Sequence, residues 1–137
     1  CEALPAVLKP RYHVDEICRA TDFVNTAAAD LAVCRAGAST LGELPFFGLP
    51  AVLVPYPHAW RYQRVNAEYL AGRGAAVVLE DGRLHEELLP TVSHLLGDRA
   101  ALGEMAGRMR ALACSDAAAR LASELWVLAR RGLEGRL

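Results

Sequence analysis

Lysine is all but missing from this sequence: Lys9 is the single one, and every other residue of the fifteen basic ones is arginine. These fifteen face sixteen acidic residues, so the net charge is −1. No basic run or field stands out, which argues against a nucleic acid partner. The arginine bias reads as genome composition rather than mechanism. Cysteine is sparse and scattered: Cys1, Cys18, Cys34 and Cys114 form no C-x-x-C pair and have no histidine at ligand spacing. A zinc site is therefore not expected, and free thiols suit a reducing cytoplasm better than a disulfide-built secreted domain. Long apolar runs are lacking too. The longest uncharged stretch, Leu44 to Trp60, is broken by Pro45, Pro50, Pro55 and Pro57 and cannot be a membrane-spanning helix. The chain begins at Cys1 without methionine or secretory signal, and the expectation is a piece of a longer protein.

What remains is an ordinary globular composition. At 137 residues, 53% hydrophobic and 23% charged, the chain can build one domain with a real core. The pattern predicts a helix end over Glu2 to Lys9, a strand over Tyr12 to Cys18, and a small helical stretch from Asn25 to Ala29. A strand Asp30 to Cys34 follows, ending in a cysteine that reads as a small core residue. A helix from Thr40 to Phe47 should stop at Gly48. Ala51 to Val54, an apolar run between Pro50 and Pro55, reads as a buried parallel strand. A loop from Tyr56 to Arg61 leads to a helix Tyr62 to Arg73 closed by Gly74, then a strand Ala75 to Leu79. From His85 onward helices are expected. Leu88, Leu89, Val92, Leu95 and Leu96 would form one apolar face, and Leu102, Met105, Met109 and Leu112 another. A last helix, Asp116 to Arg131, would bury Leu121, Leu125, Val127 and Leu128. Strands alternating with helices mean an α/β layer fold with a parallel sheet.

In such sheets ligands bind beyond the carboxyl ends of the strands, where the turns after Cys34 and Val54 both lie. Gly37, Ala38, Ser39 and Thr40 make a small-residue turn that opens a helix. Small residues let a ligand approach the backbone, and free N–H groups at a helix start attract anions such as a diphosphate. Glu43, one turn into that helix, offers two acceptors to a ribose diol. Together these features point to a nucleotide-sugar site.

The segment from Ala29 to Leu79 resembles the donor-binding half of the peptidoglycan N-acetylglucosaminyltransferases of the cell-wall lipid cycle, in glycosyltransferase family 28. The family pattern R-x-G-A-x-T-x-x-E, G-x-P, P-Y/F-x-H and Q-x-x-N-A is met here. Arg35, Gly37, Ala38, Thr40, Glu43, Gly48, Pro50, Pro55, Tyr56, His58, Gln63, Asn66 and Ala67 supply it. The tight match covers about fifty residues. The resemblance implies a Rossmann-like parallel sheet with flanking helices, the C-terminal half of a GT-B glycosyltransferase. It also implies UDP-N-acetylglucosamine as donor substrate, no cofactor or metal, and inverting transfer to a lipid-linked muramoyl-pentapeptide. Thr40 and the turn before it would face the diphosphate, Glu43 the ribose, and Gln63 and Asn66 the sugar. The acceptor half, with the base it would supply, lies outside residues 1–137, so the fragment alone is expected to be inactive. The whole enzyme would be cytoplasmic and peripheral to the membrane's inner face, touching it only through the N-terminal domain.

The chain also departs from that pattern. Tyr62 stands where the family often has glutamine. Pro45 falls inside the Thr40 to Phe47 helix, whose start it is expected to shift or bend. The Gly-Gly-Ser turn that opens the family's donor domain and the segment that holds uracil have no counterpart, and a missing segment near Phe23 to Asn25 would account for this. Plainer readings stand beside the sharp ones. Thr40 to Glu43 also fits a capping box, although Gln63 and Asn66 downstream tip the reading towards a ligand. His58 between prolines fits a general base on spacing, yet such a histidine more often pins its loop. Arg35 could meet a phosphate or an acidic neighbour such as Asp30. Trp60 and Tyr62 could stack on a ligand or pack on their own domain. Three other functions share these residues: a natural-product glycosyltransferase, a split enzyme docking to a separate partner, and a non-catalytic interaction module.

Overall fold

A computed structural model describes residues 7, 9–11, 26–58 and 60–134, with side chains at 60, 61 and 132–134 left aside. The expected strand at Tyr12 to Cys18, most of the Glu2 to Lys9 helix end and the segment around Phe23 to Asn25 lie outside the described residues. Lys9–Arg11 form a single 3-10 turn, and residues 26–28 a turn of helix.

Three short strands make a parallel sheet in the order β1 (Ala32–Cys34), β2 (Ala51–Leu53), β3 (Ala76–Val78). Ala32, Ala51 and Ala76 stand in register, as do Cys34, Leu53 and Val78. Between the strands run α1 (Thr40–Phe47) and α2 (Trp60–Ala71), and after them α3 (Leu84–Gly97), α4 (Arg99–Arg110) and α5 (Ala117–Glu134). The central strand is buried throughout, because both of its faces are covered. Ala51 and Leu53 point to a cluster with Leu44 of α1, Ala67 and Leu70 of α2, and Met109. Val52 and Val54 point the other way, to Leu95 of α3 and Leu102 and Met105 of α4. This strand-by-strand alternation of faces is what a run of apolar residues in a parallel sheet requires.

The helix ends that feed β2 and β3 are built alike. At the end of α1 the Gly48 N–H donates to the Pro45 carbonyl and the Leu49 N–H to that of Leu44. At the end of α2 the Gly74 N–H donates to Ala71 and the Ala75 N–H to Leu70. Both glycines take the left-handed conformation, φ 63° and 68°, that this paired-bond ending requires. Arginines of α4 lie over both ends, Arg110 against Gly48 and Arg108 against Gly74. A cation is favourable there, because carbonyl dipoles converge at a helix C-terminus.

Four expectations need correction. Pro45 neither shifts nor splits α1, which starts at Thr40 and keeps Pro45 buried inside it. Near the end of so short a helix, proline forgoes only one backbone bond, and apolar burial offsets that loss. The apolar face of α4 is divided: Leu102 and Met105 join one core cluster, Met109 and Leu112 the other. On α3, Leu89 and Leu96 are exposed. The largest departure is α5, whose Leu121, Leu125, Val127 and Leu128 are all exposed, Leu121 at 62%. Its periodicity was genuine, but nothing among the described residues covers it. No helix among the described residues is long and apolar enough to cross a membrane.

Candidate functional site

The turn from Arg35 to Ser39 joins the carboxyl end of β1 to the start of α1. Thr40 is the first helical residue, and its hydroxyl donates to the Arg35 carbonyl at 3.0 Å. Ser39 precedes the helix with its side chain making no capping bond, while its carbonyl accepts from Gly42 and Glu43. The capping box allowed by the sequence is therefore not formed, and Glu43 stays exposed in the first turn. Among the described residues the backbone N–H groups of Gly37, Ala38, Ser39 and Thr40 meet no acceptor. Four adjacent donors at a helix start form a concentrated anion-attracting surface.

Side chains from other elements hold this turn. Asn66, half-buried on α2, donates its amide N–H to the Ala36 carbonyl at 3.0 Å. Gln63, one turn earlier, accepts from the Tyr56 N–H at 2.9 Å and so ties α2 to the loop after β2. Arg35 donates to the Val54 carbonyl at 3.2 Å and lies 5.3 Å from the Tyr56 ring centroid. Its ion-pair partner is Asp81, not the Asp30 proposed from sequence proximity; Asp30 pairs with Arg99. His58 is exposed and sits edge-on to Tyr56 at 5.5 Å, as a loop-pinning histidine would. Tyr62 is 72% exposed. Gly37, Ala38, Ser39, Thr40, Glu43, Asn66 and Arg35 thus gather on one turn, and Gln63 adjoins them through Tyr56. His58 and Tyr62 stand at the rim of the same loop.

Beneath this surface lies Cys34, the last residue of β1. Burial, and then the negative charge of Glu43, push its thiol above the ordinary range. A cavity of about 640 Å³ opens beside the Arg35–Asp81 pair, walled by Pro55, Tyr56, Pro57, Arg64, Glu80, Asp81 and Gly82. Arg64 grips Glu80 with both carboxylate oxygens, at 2.6 and 2.7 Å. Glu80 and Asp81 were not singled out from sequence, because their partners lie on other elements. Among the described residues no cluster of three or more His, Cys, Asp or Glu side chains could hold a metal ion.

Comparison with known proteins places the chain in a family. Residues 12–121 match the glycosyltransferase family 28 C-terminal domain. A protein of Roseiflexus sp. (strain RS-1) is 42% identical over 93% of this chain and 33% of its own length. One from Acidothermus cellulolyticus is 50% identical over 70% of this chain and 26% of its own. Both are named UDP-N-acetylglucosamine–N-acetylmuramyl-(pentapeptide) pyrophosphoryl-undecaprenol N-acetylglucosamine transferase. The crystal structure of Acinetobacter baumannii MurG superposes with a TM-score of 0.65 at 36% identity, over 72% of this chain and 28% of that one. The chain therefore spans between a quarter and a third of the length of these relatives.

Proposed function

Because the chain belongs to the glycosyltransferase family 28 C-terminal domain family, we propose that it is the donor-binding part of an N-acetylglucosaminyltransferase of cell-wall synthesis. Its donor is UDP-N-acetylglucosamine, and its acceptor is a lipid-linked muramoyl-pentapeptide held by a domain outside these residues. The observation that carries this reading is the row of unbonded N–H groups from Gly37 to Thr40, with Glu43 exposed one turn on. The diphosphate sits on those N–H groups, and the ribose diol donates to Glu43. Gln63 spends its carbonyl on Tyr56 and keeps its NH2 group for the sugar, whereas Asn66 spends its NH2 on Ala36 and keeps its carbonyl. Tyr62 and His58 border the sugar end.

The acceptor hydroxyl attacks C1 of the sugar, the bond from C1 to the diphosphate breaks, and the anomeric centre inverts. Negative charge develops on the departing UDP. Preorganised N–H donors stabilise that charge without reorganising as it forms, and no metal is called for from this chain. The base that takes the acceptor proton belongs to the other domain. A membrane-anchored acceptor sets the whole enzyme peripherally at the cytoplasmic face.

The test is titration of UDP-N-acetylglucosamine, UDP-glucose and UDP into the full-length protein and its Glu43→Ala variant. The acetylated donor should bind preferentially, and the variant should weaken it about tenfold, the loss of roughly one good hydrogen bond. Folded protein that binds none of the three would overturn the donor-site reading.

A further inference from the structure

Arg35 has two conceivable uses at this site: to touch a phosphate directly, or to hold the turn that does. Its surroundings decide between them. The guanidinium donates to the Val54 carbonyl at the carboxyl end of β2, and it abuts Asp81 at the carboxyl end of β3. Its own backbone lies at the carboxyl end of β1, where its carbonyl accepts the Thr40 hydroxyl. Through its side chain and its carbonyl, this one residue therefore ties three strand ends to the first residue of α1. Asp81 Oδ1 is enclosed, and the cation it faces is Arg35 Nη1, with which it makes an ion pair. An enclosed carboxylate oxygen is costly unless a cation meets it, and here that cation is Arg35.

We propose that Asp81 is a positioning residue: by fixing Arg35 it sets where the N–H groups of Gly37 to Thr40 point. The inference rests on the donor-site reading above. Asp81 touches no substrate and acts through Arg35. Without its counter-charge the guanidinium is free to swing away from Val54, and the turn loses one of its supports. Asn66 on Ala36 and Thr40 on Arg35 remain, so the turn loosens rather than collapses.

Two measurements on the full-length protein test this. The first needs no nucleotide: in Asp81→Asn, which keeps the shape and removes the charge, the amide NMR signals of Ala36 to Thr40 should shift while those of Ala51 to Leu53 hold. The second is kinetic. The donor KM should rise about three- to tenfold and kcat should fall with it, because the same N–H groups hold the bound diphosphate and take up charge as UDP leaves. Arg35→Ala should do the same, and the double variant should be no worse than the poorer single one. Arg35→Lys, which keeps the charge but not the fork, is the companion variant should Asp81→Asn fail to fold, and it should fall between wild type and Arg35→Ala. Amide shifts confined to the neighbours of Asp81, or an unchanged KM in a folded variant, would overturn the proposal. Absence of donor binding by the unsubstituted protein would instead defeat the donor-site reading, leaving the nucleotide-free amide shifts to judge the brace by themselves.

Discussion

Cys34 and Glu43 lie on different elements, yet the carboxylate bears on the chemistry of the thiol. The thiol is half-buried at the end of β1 and faces a carboxylate, and both effects disfavour the thiolate. The folded chain therefore holds that proton more tightly than the unfolded one. This group's support for the fold is complete below the ordinary thiol range and is lost as pH rises through the raised value. At pH 8 iodoacetamide should label exposed Cys114 several-fold faster than Cys34, as read by peptide mass spectrometry. Glu43→Gln removes the second of the two causes and should speed labelling of Cys34. An unchanged rate would mean that the thiol does not sense the carboxylate. At this scale the sequence was readable where function follows local order: the small turn, the glutamate one turn on, and the pair Gln63 and Asn66 were all visible as a pattern. The partner of Arg35 was not. Nearness along the chain pointed to Asp30, whereas the geometry selects Asp81, and only the stacking of β1, β2 and β3 brings that carboxylate within reach.

Among the elements, α1 is held more by its ending than by its propensity. Gly42 and Pro45 both disfavour helix, and Pro45 removes a backbone bond. Against this stand the two bonds closed by Gly48 and Leu49 and the burial of Leu44 and Leu49 in one cluster. Gly48→Ala forces a side chain into a left-handed position where the Arg110 guanidinium already lies at 2.9 Å. It should destabilise the protein by about 1–2 kcal/mol, measured by chemical denaturation. Gly48→Asn, which tolerates that conformation better, should cost less. These stops were legible because glycine after an apolar helical stretch carries its own physical reason. The helix starts were less so: α2 begins at Trp60, two residues before the expected Tyr62, since a loop entering a helix leaves no comparable mark.

For the whole molecule the decisive contrast is between a sheet covered on both faces and a last helix that nothing among the described residues covers. α5 supplies no residue to either core cluster, and its Leu121, Leu125, Trp126 and Leu128 are all exposed. Cutting the chain after Asp116 should therefore shift the thermal midpoint of what remains by no more than about 2–4 °C, the change that roughly 1 kcal/mol produces at this size. Circular dichroism would measure it, with Leu53→Ala as the contrasting core variant at about 2–5 kcal/mol. The amphipathic pattern of α5 was read correctly as a pattern and wrongly as burial. Periodicity tells which side of a helix seeks cover, not whether cover lies within the same described residues.

The N–H groups of Gly37 to Thr40, which meet no acceptor among the described residues, bear on how such a protein can change over generations. Donors that belong to the peptide backbone are encoded by no particular codon. Substitution at Ala38 or Ser39 leaves them in place so long as the new residue keeps the turn and is not proline. Inheritance there acts on shape, and the side chains lining the turn are free to drift. The positions that cannot drift are those whose side chains hold the turn: Thr40 within it, Arg35 at its start, and the remote Asn66 and Asp81.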